Sequence, residues 1–92
     1  MIAKHVLVRG RVQGVGFRDS MVNAALAVGV AGWVRNRSDG TVEAFVQGDL
    51  DAVTQIIAWC QSGPKYARVS SVATLPLAID ETLVGFERRS TA

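Results

Sequence analysis

Apolar and polar positions alternate at the start of the chain. Val6, Val8, Gly10 and Val12 share one face, and His5, Leu7, Arg9 and Arg11 share the other. A period of two predicts a strand. From Phe17 the period changes: Phe17, Met21, Ala24, Ala25 and Val28 follow helical spacing, with Gly29 as the stop. Two further strands are predicted at about residues 30–36 and 41–47. The Asp39-Gly40 pair between them favours a tight turn, so they are expected to form an antiparallel hairpin. In the second of these strands Val42, Ala44 and Val46 point one way, and Glu43, Phe45 and Gln47 the other. A second helix is expected after Asp49, a good N-cap, with Asp51 in its first turn. Leu50, Val53, Ile56, Ile57 and Cys60 form its apolar stripe, and Gly63-Pro64 is its stop. "RVSSVATL" (Arg68–Leu75) reads as a strand with an irregularity at Ser70-Ser71. "TLVGFERR" (Thr82–Arg89) reads as a last strand with an exposed, charged end.

This order predicts an α+β fold: a ferredoxin-like two-layer sandwich, β-α-β-β-α-β, with an antiparallel or mixed sheet. Both helices cover one face, and a short extra strand follows at the C-terminus. The 92 residues suit a single domain over 1–92, and an apolar content of 49% is enough for a packed core. Many functions share such a fold, so the fold alone selects none of them.

Charge and composition narrow the field. The net charge is +2 with a pI near 9.2, a mild basic bias that is not the signature of a dedicated DNA binder and suits a small anionic ligand equally well. The single cysteine, Cys60, cannot form an internal disulfide, and no apolar run approaches the ~20 residues of a membrane span, so a cytoplasmic protein without a membrane partner is expected. One histidine and no Cys/His cluster argue against a structural zinc site.

The chemistry concentrates in "GRVQGVGFRD" (Gly10–Asp19), which places a glycine-rich turn between a strand and a helix. It lacks the third glycine of a dinucleotide fingerprint, where Asp19 stands instead, and it has no lysine for a nucleotide P-loop. What remains is a turn that exposes consecutive amides at the positive end of a helix. Gly14 and Gly16 let the backbone close on an anion, and Arg18 adds a planar fork of donors suited to phosphate oxygens. From spacing alone a plain βα turn is an equal reading.

"GRVQGVGFR" (Gly10–Arg18), "GWVRN" (Gly32–Asn36), Asp39-Gly40, Gly63-Pro64 and "ARV" (Ala67–Val69), at their intervals, resemble the acylphosphatase family over nearly the whole chain. The first two blocks carry most of the specificity. The resemblance implies hydrolysis of the carboxyl–phosphate bond of acyl phosphates with no metal and no organic cofactor. It implies a phosphate-binding loop of the amides of Gln13, Gly14, Val15, Gly16, Phe17 and Arg18, with Arg18 gripping the phosphate and Asn36 orienting the attacking water. Expected partners are a small-molecule acyl phosphate and inorganic phosphate, as product and inhibitor. No nucleic acid is expected, and the protein is taken as a monomer. A similar module occurs inside larger carbamoyl-transferring maturation proteins; a chain that ends soon after one module is expected to be the free-standing enzyme.

Two positions depart from the family pattern: Ser20 replaces a bulky residue, and Asp19 sets a carboxylate beside Arg18. Neighbouring helical residues diverge by about 100°, so Asp19 and Arg18 are not expected to pair. Arg9, Arg11, Arg35 and Arg37 flank the motifs and are candidates for steering anions. His5 is expected at the surface, while Trp33, Phe45 and Cys60 are expected to serve packing. Two rivals stand beside the hydrolase: an RNA-recognition module with the same element order but a different third-strand motif, and a non-catalytic anion-binding domain.

Overall fold

The computed structural model describes all 92 residues. Its elements run β1 (Ile2–Arg11), α1 (Phe17–Val28), β2 (Ala31–Asn36), β3 (Val42–Gly48), α2 (Leu50–Ser62), β4 (Arg68–Leu77) and β5 (Phe86–Arg88). They build a five-stranded sheet in the order β4-β1-β3-β2-β5. All pairings are antiparallel except β2 with β5, which is parallel. The expected ferredoxin-like sandwich is therefore present, with a mixed sheet.

Alternation decides which face the helices cover. Val6 and Val8 of β1, Val34 of β2 and Val42, Ala44 and Val46 of β3 are fully buried. Phe17, Met21 and Ala25 of α1 and Val53, Ile56 and Cys60 of α2 belong to the same core cluster. Phe17 meets Trp59 edge-on at 5.2 Å, and the Cys60 thiol lies 4.0 Å from the Met21 sulfur. Burial pushes the Cys60 thiol up to about 12. Cys60 thus packs as an apolar residue.

Several local expectations need correction. Leu50, read as part of the α2 stripe, is 63% exposed, and Ile57 is only half-buried. Leu50 is the first helical residue and overhangs the end of the layer, so the covered stripe narrows to Val53, Ile56 and Cys60. Asp49 holds the N-cap position, but its side chain makes no capping bond. The last strand is only Phe86–Arg88, and Thr82–Gly85 forms no strand. The irregularity at Ser70-Ser71 is real: Arg9 faces Ser71 while Gly10 faces Val69, leaving Ser70 as the extra residue of a bulge.

The other sheet face is also well covered, by its own side chains. Every residue of β3 is buried. Phe45 stacks on Trp33 at 6.5 Å, and the guanidinium groups of Arg35 and Arg89 lie over the Trp33 ring at 5.0 and 4.9 Å. Glu43 sits at the centre of this face. Its carboxylate accepts from Arg35 Nε at 2.6 Å, lies 2.7 Å from His5 Nε2 and takes a longer contact from Arg37 at 3.4 Å. His5 is therefore a half-buried partner rather than a free surface residue. Burial alone would push the Glu43 carboxyl up, but the bonds from His5 and Arg35 outweigh it and hold it below its ordinary value.

Two stability predictions follow from this packing. Ile56→Ala opens the core and is expected to cost about 2–5 kcal/mol, whereas Leu50→Ala is expected to cost under about 0.5 kcal/mol, both read by urea denaturation. Equal losses would contradict the narrowed stripe. A depressed Glu43 pKa stabilises the fold at pH above the ordinary glutamate value of 4.5, and this contribution disappears as pH falls through the folded pKa. Melting temperature is expected to fall as pH drops below the ordinary glutamate value of 4.5, and to fall less steeply in Glu43→Gln.

Candidate active site

The turn between β1 and α1 is held at both ends by the core. Val12 is 1% exposed and Phe17 is 2% exposed, so the intervening residues must arch over a fixed span. Gly14 and Gly16 have φ of 74° and 76°, while no other residue type in the chain has positive φ. The sign of φ therefore alternates through Gln13, Gly14, Val15, Gly16 and Phe17, the pattern that turns successive N–H groups toward one concavity. A Cβ at Gly14 or Gly16 would meet no protein atom within 4 Å, so the required backbone conformation, not space within the fold, calls for glycine. None of the amides from Gln13 to Asp19 finds a backbone acceptor in the chain; the first one in α1 that does is Ser20, bonded to Gly16 O at 3.1 Å. Gly16 caps α1 without any side-chain bond, which leaves the positive end of the helix dipole open.

A cleft of about 180 Å³ lies over this turn. Gly14, Gly16, Phe17, Arg18 and Asn36 line it, and Gln13 and Val15, also expected in the loop, do not. Arg18 is half-buried and has no carboxylate partner; its one bond within the chain is a long one, from Nη1 to Arg89 O at 3.3 Å. Asn36 ends β2 on the same sheet face as Val34, so its side chain faces the cleft. That side chain is not engaged with any other residue, while its main-chain carbonyl accepts from Ala92 N at 2.9 Å. The result is a concave row of donors and one uncommitted cation facing a side-chain amide. Such an arrangement can hold a small anion and fix a polar molecule beside it.

The tertiary structure adds contacts that the sequence reading did not place here. Gln13 contributes through its side chain: Nε2 donates to Arg37 O at 2.7 Å and to Thr41 O at 2.9 Å. It thereby clamps the turn to the hairpin that begins just after Asn36. Arg88 of β5 lines the cleft and pairs with Asp19 at 2.7 Å, so Asp19 is balanced by a cation other than Arg18. The alternation from buried Phe86 carried the signal, since it puts Arg88 on the helix-covered face. Arg9, Arg11, Arg35 and Arg37, the candidates for steering, do not line the cleft. Arg35 and Arg37 are paired with Glu43 on the opposite face, for their side chains alternate away from Asn36.

Known proteins of one family resemble this chain. The sequence model of the Acylphosphatase family matches residues 4–88. A protein of Acidiphilium cryptum (strain JF-5) named acylphosphatase is 50% identical over 91 residues, covering 99% of both chains. The crystal structure of acylphosphatase from Bacillus subtilis superposes with a TM-score of 0.92 at 31% identity, covering 97% of this chain and 99% of that one. An acylphosphatase structure from Coxiella burnetii gives 0.91 at 35% identity, covering 96% and 92%.

The Gln13 clamp yields a direct test. Arg37 O and Thr41 O also accept from Gly40 N and Arg37 N, so losing the Gln13 amide leaves neither carbonyl without a donor. Gln13→Ala is expected to cost only about 1–2 kcal/mol of stability while loosening the turn relative to Asn36. Gln13→Glu sets a carboxylate against two carbonyl oxygens and is expected to be worse on both counts. Thermal melts and turnover of the two variants check the order.

Proposed function

The chain belongs to the acylphosphatase family and hydrolyses acyl phosphates, and from that premise we propose that the cleft over the β1–α1 turn is its active site. In this reading the amides of Gln13 to Arg18 and the Arg18 guanidinium hold the phosphoryl group, and Asn36 orients the attacking water. The observation that carries it is the pairing of free amides with a cation that has no carboxylate partner, facing the unengaged side chain of Asn36.

The chemistry asks for little more. An acyl phosphate is a mixed anhydride whose leaving group is a carboxylate, a weak base with a conjugate-acid pKa of about 4.3, so it departs without a general acid. Water oxygen forms a bond to phosphorus as the bond from phosphorus to the acyl oxygen breaks, and the electron pair leaves on the carboxylate. Charge in the transition state lies on the equatorial phosphoryl oxygens, where fixed donors act most strongly. The loop amides and Arg18 supply those donors with no reorganisation, since Val12 and Phe17 hold the turn in place. Asn36 accepts from the water through its carbonyl oxygen. A carboxylate at this position would repel the incoming dianion, which favours an amide. The water proton passes to a phosphoryl oxygen of the substrate, since no histidine lines the cleft and its one carboxylate, Asp19, is paired with Arg88.

The same reading takes residues 1–92 as one catalytic domain acting as a monomer, with inorganic phosphate as product and competitive inhibitor. No helix is long and apolar enough to cross a membrane. The lone buried thiol of Cys60 suits a reducing compartment, and we place the protein in the cytoplasm on that ground.

Acetyl phosphate hydrolysis is expected to persist in excess chelator, and loss of activity restored by a divalent ion would overturn a route without metal. Phosphate is expected to inhibit competitively and to raise the melting temperature, because it binds the folded state. Arg18→Lys is expected to fail nearly as badly as Arg18→Ala, as one ammonium does not replace a planar fork. Asn36→Ala is expected to lower kcat far more than it weakens phosphate inhibition. The reverse pattern would show that Asn36 holds the anion.

A further inference from the structure

The roles above leave two charged residues of the cleft, Asp19 and Arg88, without a task. Arg88 projects from β5 on the side of Phe86 and reaches the first turn of α1, where Nη1 donates to Asp19 Oδ1 at 2.7 Å. This is the one side-chain bond Arg88 makes within the chain, so the rest of its fork is uncommitted. The pair is open to water, Arg88 being 47% and Asp19 68% exposed. An ion pair as exposed as this adds little to stability. It does, however, place a guanidinium at the wall of the cleft beside Arg18 and Asn36.

With the phosphoryl group on the loop amides, the acyl end of the substrate projects out of the cradle, away from the water held by Asn36 and into a cleft that Asp19 and Arg88 also line. We propose that Arg88 is a specificity-determining residue that reads this acyl end. It favours acyl phosphates whose acyl group carries an anion of its own, such as a second carboxylate, over those with a neutral acyl group. Asp19 tunes the preference. A neutral acyl group leaves the Arg88–Asp19 pair intact, whereas an anionic one shares the uncommitted donors of the fork. The charge of Asp19 also keeps Arg88 from acting as a second general phosphate clamp that would serve every substrate alike. The inference rests on the assignment of the phosphoryl group to the β1–α1 turn.

The test is the ratio of kcat/KM for succinyl phosphate to that for acetyl phosphate, measured at low and at physiological salt. In Arg88→Ala this ratio is expected to fall about five-fold at low salt, and less at high salt, because an exposed charge is screened. The lower ratio is expected to come from a higher KM for succinyl phosphate, with kcat unchanged. In Asp19→Asn the ratio is expected to rise about two-fold. An unchanged ratio in Arg88→Ala overturns the proposal. If both substrates fall together, Arg88 serves the phosphoryl group; if neither changes, it only pairs with Asp19. Should Arg88→Ala lower the melting temperature, Arg88→Gln and Arg88→Lys carry the test, with Lys expected to keep part of the ratio and Gln none. Arg18→Ala is the separate control: it is expected to depress both substrates alike, and if it spares them the phosphoryl assignment fails, independently of Arg88.

Discussion

The constraint on which the site depends is the arch of main chain between two buried anchors. Val12 and Phe17 are fixed in the core, and the residues between them reach from one to the other only with left-handed glycines at 14 and 16. That geometry leaves the amides from Gln13 to Asp19 with no backbone acceptor in the chain. Turning several unsatisfied donors toward one point is unfavourable for the protein alone and favourable once an anion is present. The core supplies what keeps the arch from collapsing. Phe17 serves both ends of this arrangement: its ring packs against Trp59 while its amide opens the helix.

The second half of the site is held by a separate set of contacts. Asn36 lies at the end of β2, which is paired with β3 on one side and with the parallel β5 on the other. Main-chain bonds past the end of β5 continue this pairing, from Arg89 N to Val34 O at 2.8 Å and from Ala92 N to Asn36 O at 2.9 Å. The same segment offers Arg89 O to the Arg18 guanidinium. The C-terminal segment thus touches both the cation and the residue opposite it. Gln13 closes the circuit from the loop side by bonding the carbonyls of Arg37 and Thr41. Positioning of this kind, with groups held before the substrate arrives, is where a reaction that needs no general acid gains most of its rate.

Charge is divided between the two faces of the sheet by the same alternation. On the face away from the helices Arg35 and Arg37 pair with Glu43, a buried carboxylate that also bonds His5. On the helix side, Arg18 has no such partner and Arg88 has an exposed one. A chain with only a mild excess of arginine can therefore present an anion site without being basic throughout.

The sequence by itself determined the element order, the faces of the strands and the position of the glycine turn. Each of these rests on local facts: a period of two or of 3.6, a turn pair at Asp39-Gly40, and glycines at the positions that require positive φ. The parts of the proposed arginine–amide cradle were legible because they are contiguous in the chain. The tertiary structure alone decided that Leu50 is exposed, that Gln13 acts as a clamp, and that Asp19 pairs with Arg88 rather than standing beside Arg18 unbalanced. These depend on residues 24 to 69 positions apart in sequence, brought together by the order of strands in the sheet. Local periodicity reports which face a side chain occupies, but which residue it meets there is set by strand order and register.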